Sequence, residues 1–233
     1  RLSTRKAMGW SHGTLVFMLG RKGKMSLVMF DYDGVIADSL DVHVRSFLAA
    51  FRENGYDKLS TARDIIDLYN GNVYRSMADL GLSETEIDRI LASYQVRQDR
   101  LLDQIELFPR MAEFLSGLVL QHKVYIITSN LAEAVQRVLE KNGISGIEKE
   151  MGSETAKSKI KKIHMAKERH PGLKAYYVGD TKGDIYEGRE AGTITVGVAW
   201  GWHGPDRLRE SRPDYLVYSV EELSEIFKSA EAK

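Results

Sequence analysis

Two aspartates, Asp31 and Asp33, flank a tyrosine in the stretch "FDYDGVIADS" (30–39), directly after the apolar run "SLVMF". Carboxylates this close make each other harder to ionise. The pattern recurs twice downstream. "KVYIIT" (123–128) runs into Ser129 and Asn130, and "KAYYVG" (174–179) runs into Asp180, with Asp184 four residues on. Three apolar runs therefore end in four acids and a hydroxyl, Thr128. The basic stretch "AKSKIKK" precedes the third run. Four gathered carboxylates call for a cation, and an oxygen-rich set with few neutral ligands suits Mg²⁺. Beside such an ion one carboxylate can attack phosphorus covalently. A second can protonate the leaving alkoxide and then deprotonate water. Hydroxyl, backbone N–H and lysine would neutralise the phosphoryl oxygens.

Such chemistry needs elements that bring the three run ends together. "SLVMF" (26–30), "KVYIIT", "KAYYVG", "TITVGV" (193–198) and "DYLVY" (214–218) read as strands. Amphipathic helices separate the later ones. Met111, Phe114, Leu115 and Leu118 form one stripe after Pro109; Val135, Val138 and Leu139 form a second that ends at Asn142-Gly143. Ile160 and Ile163 mark a third, and Ser219 with Glu222 caps the last helix. Continuous apolar strands alternating with helices predict a Rossmann-like α/β core, a doubly wound parallel sheet covered on both faces. In such a sheet ligands bind beyond the carboxyl ends of the strands, where the acids fall.

Residues 40–107 break the alternation and contain no convincing strand. Val44, Phe47, Leu48 and Phe51 form a helical stripe closed by Asn54-Gly55, and Ser83 with Glu86 caps a second helix carrying Ile87, Ile90, Leu91 and Tyr94. This predicts a small all-helical cap inserted after the first strand, with the core formed by 25–39 and 108–233. The junctions near Ser39-Leu40 and Glu106–Phe108 are expected to act as hinges. Met25 is a candidate start, which leaves 1–24 as an extension of unknown role.

The four motifs "DYDGVIADS", "ITSN", "AKSKI" and "VGDTKGD" resemble, in order, those of the haloacid dehalogenase superfamily. The likeness covers the chain from about Ser26 onward. The inserted helices resemble the cap of the branch that includes phosphoglycolate phosphatase and beta-phosphoglucomutase. The resemblance implies Asp31 as nucleophile and Asp33 as general acid/base. It implies Mg²⁺ held by Asp31, the Asp33 carbonyl, Asp180 and Asp184, and phosphate held by Thr128 and the Ser129 N–H, with Asn130 beside them. Either Lys157 or Lys159 would be the motif lysine; "AKSKIKKI" reads as lysine followed directly by its helix, which favours Lys157. Arg75, in "GNVYRS" (71–76), is a candidate substrate contact from the cap. His43 reads as a solvated helix position. The two tryptophans of "GVAWGWHG" (197–204) read as rim or core residues beside the site.

Within the superfamily it resembles, an acid two positions after the nucleophile implies phosphoryl transfer rather than dehalogenation. The expected substrate is a small phosphorylated metabolite. The stretches "GVAWGWHGPDRLRESRPDYLVYSVEEL" and "YNGNVYRSMADLGLS" resemble phosphoglycolate phosphatases, which makes 2-phosphoglycolate the leading single guess. A phosphosugar mutase and a non-catalytic regulator on the same fold are the alternatives. Lys plus Arg and Asp plus Glu number 33 each, so the charge balances and a nucleic-acid partner is disfavoured. No apolar run reaches the roughly 18–20 residues of a membrane span. With no cysteine there is neither disulfide nor thiolate site, and six histidines show no zinc spacing. A cytoplasmic monomer or homodimer is expected.

Overall fold

The structure is a computed structural model, and it describes residues 24–229. The extension expected over 1–24 lies outside these residues except for Lys24. The chain runs through β1 (Ser26–Phe30), β2 (Ala37–Asp38), α1 (Leu40–Glu53), α2 (Ala62–Asp67), α3 (Val73–Asp79) and α4 (Glu84–Leu101). It continues with β3 (Glu106–Leu107), α5 (Met111–Leu118), β4 (Lys123–Ile127), α6 (Ala132–Lys141), β5 (Lys149–Met151) and α7 (Lys159–Arg169). It ends with β6 (Lys174–Gly179), α8 (Lys182–Glu190), β7 (Ile194–Val198), α9 (Gly204–Ser211), β8 (Tyr215–Val217) and α10 (Val220–Ser229).

Six strands form one parallel sheet in the order β5-β4-β1-β6-β7-β8. β1 is central, and the chain winds outward first through β4 and then, in the other direction, through β6. That reversal opens a crevice at the carboxyl end of β1, where ligands bind in open α/β sheets. Every residue of β1 is buried, as expected when both faces are covered. Val28, Phe30, Val124 and Ile126 pack with Met111, Leu115, Val135 and Val138 of α5 and α6. The alternate residues Leu27, Met29, Tyr125 and Ile127 pack with Ile163 and Ala166 of α7.

The segment between β2 and β3 has a separate apolar cluster that includes Phe47, Phe51, Ile65, Met77, Ile90 and Tyr94. Thr61 with Asp64 and Ser83 with Glu86 close capping boxes at the starts of α2 and α4. The sequence showed no strand here, yet β2 and β3 pair antiparallel where the chain enters and leaves the segment. Two residues per strand are too few to show a period-two pattern. β5 was also missed: three residues reading Lys-Glu-Met at a sheet edge carry no apolar run. Among the described residues no helix is long and apolar enough to cross a membrane.

Candidate active site

Asp31 follows β1 and is fastened to the neighbouring strand by its N–H, which donates to the Val178 carbonyl at 2.8 Å. The chain then turns: Val35, Ile36 and Ala37 all donate N–H to the Tyr32 carbonyl. Gly34 makes the turn possible at φ +73°. A Cβ there would run into the Asp180 carboxylate and lie 2.9 Å from a Trp202 ring carbon, so backbone conformation and close approach both require glycine. Asp180 ends β6, and Asp184 lies in the first turn of α8, capping it through Thr181. Parallel pairing with β1 thus brings Asp31, Asp33, Asp180 and Asp184 together, all under 10% exposed.

A lysine sits among them, and it is Lys159. Its ammonium lies 3.0 Å from Asp31 Oδ2 and 2.7 Å from Asp184 Oδ1, and it is buried. Lys157, favoured by the sequence reading, is instead half exposed, 2.8 Å from Asp88 and 3.7 Å from Glu84 of α4. The cause is helix phase. Ser158 is the N-cap, so Lys159 opens α7 on the face that also buries Lys162, Ile163 and Ala166. Lys162, which the sequence reading passed over, is wholly buried, and its ammonium donates to the carbonyls of Thr128 (2.5 Å) and Gly152 (3.2 Å). This ties the end of β4 to the loop after β5.

The acids differ in their partners. Asp33 accepts from Ser39 Oγ at 2.7 Å and from Asn130 Nδ2 at 2.6 Å, both neutral donors. Burial pushes its pKa up to about 6, against the lowering effect of Ser39. Asp31 is pushed up to about 8 by burial, with Lys159 opposing and Asp184 and Asp33 adding to the rise. Asp180 is raised well above the usual carboxylate range by burial and by its charged neighbours Asp184 and Asp31. Burial acts on Asp184 too, but there Lys159 and the Thr181 hydrogen bonds outweigh it and hold the pKa down.

These shifts describe a cluster short of positive charge. One oxygen from each of Asp31, Asp180 and Asp184 lies within 4.8 Å of the others. Asp180 Oδ2 accepts the Trp202 N–H at 2.6 Å, while buried Oδ1 has no partner among the described residues. An orphaned carboxylate oxygen in an all-oxygen set fits a hard divalent cation.

The remaining expected residues fall in different places. Ser129 and Asn130 line the cavity above the carboxylates, but the Asn130 amide is committed to Asp33 and to Tyr94, whose hydroxyl donates to its Oδ1 at 3.0 Å. Thr128 is fully buried, its hydroxyl accepting the Asn130 N–H, so its side chain is not on the cavity wall. Arg75 is exposed and away from the cavity, because α3 buries Val73 and Met77 instead. His43, expected on a solvated face, is buried between the hydroxyls of Tyr94 and Tyr69, each 2.9 Å away. Its spacing from Phe47 and Phe51 on α1 was the available signal. Trp202 lies 4.4 Å from the His43 ring, and the Trp200 indole N–H donates to the Val35 carbonyl.

The cavity encloses about 340 Å³. The helical segment roofs it and meets the sheet through polar contacts: Tyr94 with Asn130, Asn72 with Glu187 at 2.9 Å, and Arg207 with Asp67 and Asn70.

Comparison with known proteins agrees with this geometry. The sequence profile of the haloacid dehalogenase-like hydrolases matches residues 28–198. A phosphoglycolate phosphatase from Synechococcus elongatus is 27% identical over 85% of this chain and 95% of its own length. The pyrophosphatase PpaX of Listeria monocytogenes is 24% identical over 90% of this chain and 99% of its own. Among solved structures, a haloacid dehalogenase-like hydrolase from Streptococcus pneumoniae superposes with a TM-score of 0.72 at 26% identity, covering 87% of this chain and 98% of its own. A hydrolase from Pseudomonas syringae shares the fold with a TM-score of 0.76 at 16% identity, covering 88% and 99%.

Proposed function

We propose that this chain, which belongs to the haloacid dehalogenase-like hydrolase family, is a phosphatase that moves the phosphoryl group of a small phosphomonoester to Asp31 and then to water. The observation that carries this reading is the unequal treatment of two adjacent buried acids. Asp31 faces an ammonium at 3.0 Å, whereas Asp33 faces only neutral donors. The first suits a carboxylate that must be ionised to attack phosphorus. The second, with no cation in contact, suits a group that holds and releases a proton.

In this reading Asp33 gives its proton to the leaving alkoxide and later takes one from the attacking water. Ser39 and Asn130 fix the direction of its two oxygens. Lys159 holds Asp31 in line and offers positive charge to the phosphoryl oxygens, with the Ser129 backbone beside it. Lys162 keeps the Thr128–Asn130 turn in place through the Thr128 carbonyl. Asp31, Asp180, Asp184 and the Asp33 carbonyl would hold Mg²⁺, whose charge would offset the clustered carboxylates and the phosphate. Residues 40–107 act as a cap, with the β2–β3 pair as its hinge.

Likeness to the Synechococcus enzyme makes 2-phosphoglycolate the first metabolite to assay, although the cavity wall favours other leaving groups. The purified protein is expected to hydrolyse p-nitrophenyl phosphate only with Mg²⁺. Asp31→Asn is expected to lower kcat by a factor on the order of 10⁴ or more, as for other lost nucleophiles. Undiminished turnover by Asp31→Asn would refute the assignment.

A further inference from the structure

The carboxylate floor of the cavity receives the phosphate, and the opposite wall meets whatever the phosphate is attached to. That wall is aromatic. Phe47, Tyr69, Tyr74, Tyr94 and Trp202 contribute rings and Leu91 an apolar branch. Tyr69 and Trp202 pack edge to face at 5.1 Å. Ring faces and edges set at fixed angles bind flat, largely apolar groups.

The charges on the wall point the same way. Among the described residues that line the cavity, the ammonium groups are Lys157 and Lys159. Lys159 is committed to Asp31 and Asp184, and Lys157 to Asp88 and Glu84. His43 is neutral, since burial holds its pKa down to about 3. Asp33, Asp88 and Glu154 also line the cavity. A leaving group bearing a carboxylate or a second phosphate would have to draw Lys157 away from Asp88 and Glu84 and would still face carboxylates.

We propose that the leaving group is an uncharged alcohol with a flat, mainly apolar body. The substrate class is then an arylalkyl or heterocyclic phosphomonoester, not 2-phosphoglycolate or pyrophosphate. This rests on the phosphatase reading above and adds the identity of the alcohol. An Asp31 oxygen forms the bond to phosphorus as the ester P–O bond breaks. The electron pair leaves on the alcohol oxygen, which takes the proton of Asp33. Water then attacks phosphorus, gives a proton to Asp33, and releases Asp31 and inorganic phosphate.

The test is kcat/KM, with Mg²⁺, for benzyl phosphate, 4-pyridylmethyl phosphate, ethyl phosphate, 2-phosphoglycolate and pyrophosphate. The four esters all release an alkoxide, which limits differences in intrinsic reactivity. The two ring esters are expected to exceed 2-phosphoglycolate by roughly 10- to 100-fold, the range that pocket contacts supply, with ethyl phosphate between them. Asp88→Asn, which releases Lys157 from its closest partner, is expected to shift the ratio several-fold toward 2-phosphoglycolate. A wild-type preference for 2-phosphoglycolate or pyrophosphate over benzyl phosphate overturns this inference and leaves the phosphatase reading standing. Failure to hydrolyse any of these compounds or p-nitrophenyl phosphate overturns that reading and this inference with it.

Discussion

Replacing Lys159 by glutamine removes an ammonium 3.0 Å from Asp31 and 2.7 Å from Asp184, both buried. At an effective dielectric of about 20, each contact has a Coulomb energy of about 6 kcal/mol before desolvation. Removing one partner of a buried pair typically costs about 3–5 kcal/mol, because the other charge is left uncompensated. Taking about 3 kcal/mol as lost from transition-state stabilisation predicts a drop in kcat/KM on the order of 10². Lys157→Gln is the control. Its pair with Asp88 is about half exposed on both sides, worth about 0.2–1 kcal/mol, so the loss there is at most roughly fivefold. The assay is steady-state hydrolysis of p-nitrophenyl phosphate across a Mg²⁺ titration, with circular dichroism to show that both variants fold. A larger loss in Lys157→Gln than in Lys159→Gln would refute the reasoning, and so would Lys159→Gln activity within fivefold of wild type.

Three further outcomes follow from the same geometry. Tyr94→Phe strips the hydroxyl that joins His43 to Asn130, and Asn130 in turn holds Asp33; about 1–2 kcal/mol predicts a 5- to 30-fold loss in kcat with little change in KM. In metal-free protein, Asp33 and Asp31 have folded pKa values of about 6 and about 8, both above the unfolded value of 3.8. Their stability contribution is therefore complete below pH 3.8 and lost as pH rises through 6 and 8. Tm in a chelator should fall between pH 5 and 8, and Mg²⁺ should flatten that slope; equal slopes with and without Mg²⁺ would contradict the cluster's need for a cation. Gly34→Ala forces a left-handed residue and a Cβ against Asp180, which predicts at least about 1–2 kcal/mol of destabilisation by chemical denaturation and a loss of Mg²⁺ affinity by calorimetry.

The acids were legible because each follows an apolar run long enough to be a buried strand, and topology alone then brings such run ends together. The choice of lysine was not legible from spacing. α7 buries Lys159, Lys162, Ile163 and Ala166, so two positions of its inward stripe carry charge, and a hydropathy reading settles on Ile160 and Ile163 instead. His43 hid in the same way: it stands in register with Phe47 and Phe51, but a polar side chain does not register as part of an apolar stripe. Arg75 looked available because a seven-residue helix with only two buried positions, Val73 and Met77, gives little sign of which way it faces. β5 and the β2–β3 pair escaped because strands of two or three residues are defined by their partners, and the partners are distant in sequence.

The β2–β3 pairing has a further consequence, for engineering. Ala37 lies opposite Leu107 and Asp38 opposite Glu106, so the chain leaves and re-enters the sheet-bearing part at neighbouring points. Whatever is spliced between those points has its ends already joined and does not alter the strand order. A foreign helical unit can be grafted there as a cassette if it keeps Val42, Leu102 and Ile105, which are buried in the main cluster. The choice of alcohol could then be rewritten while the four aspartates and Lys159 stay as they are.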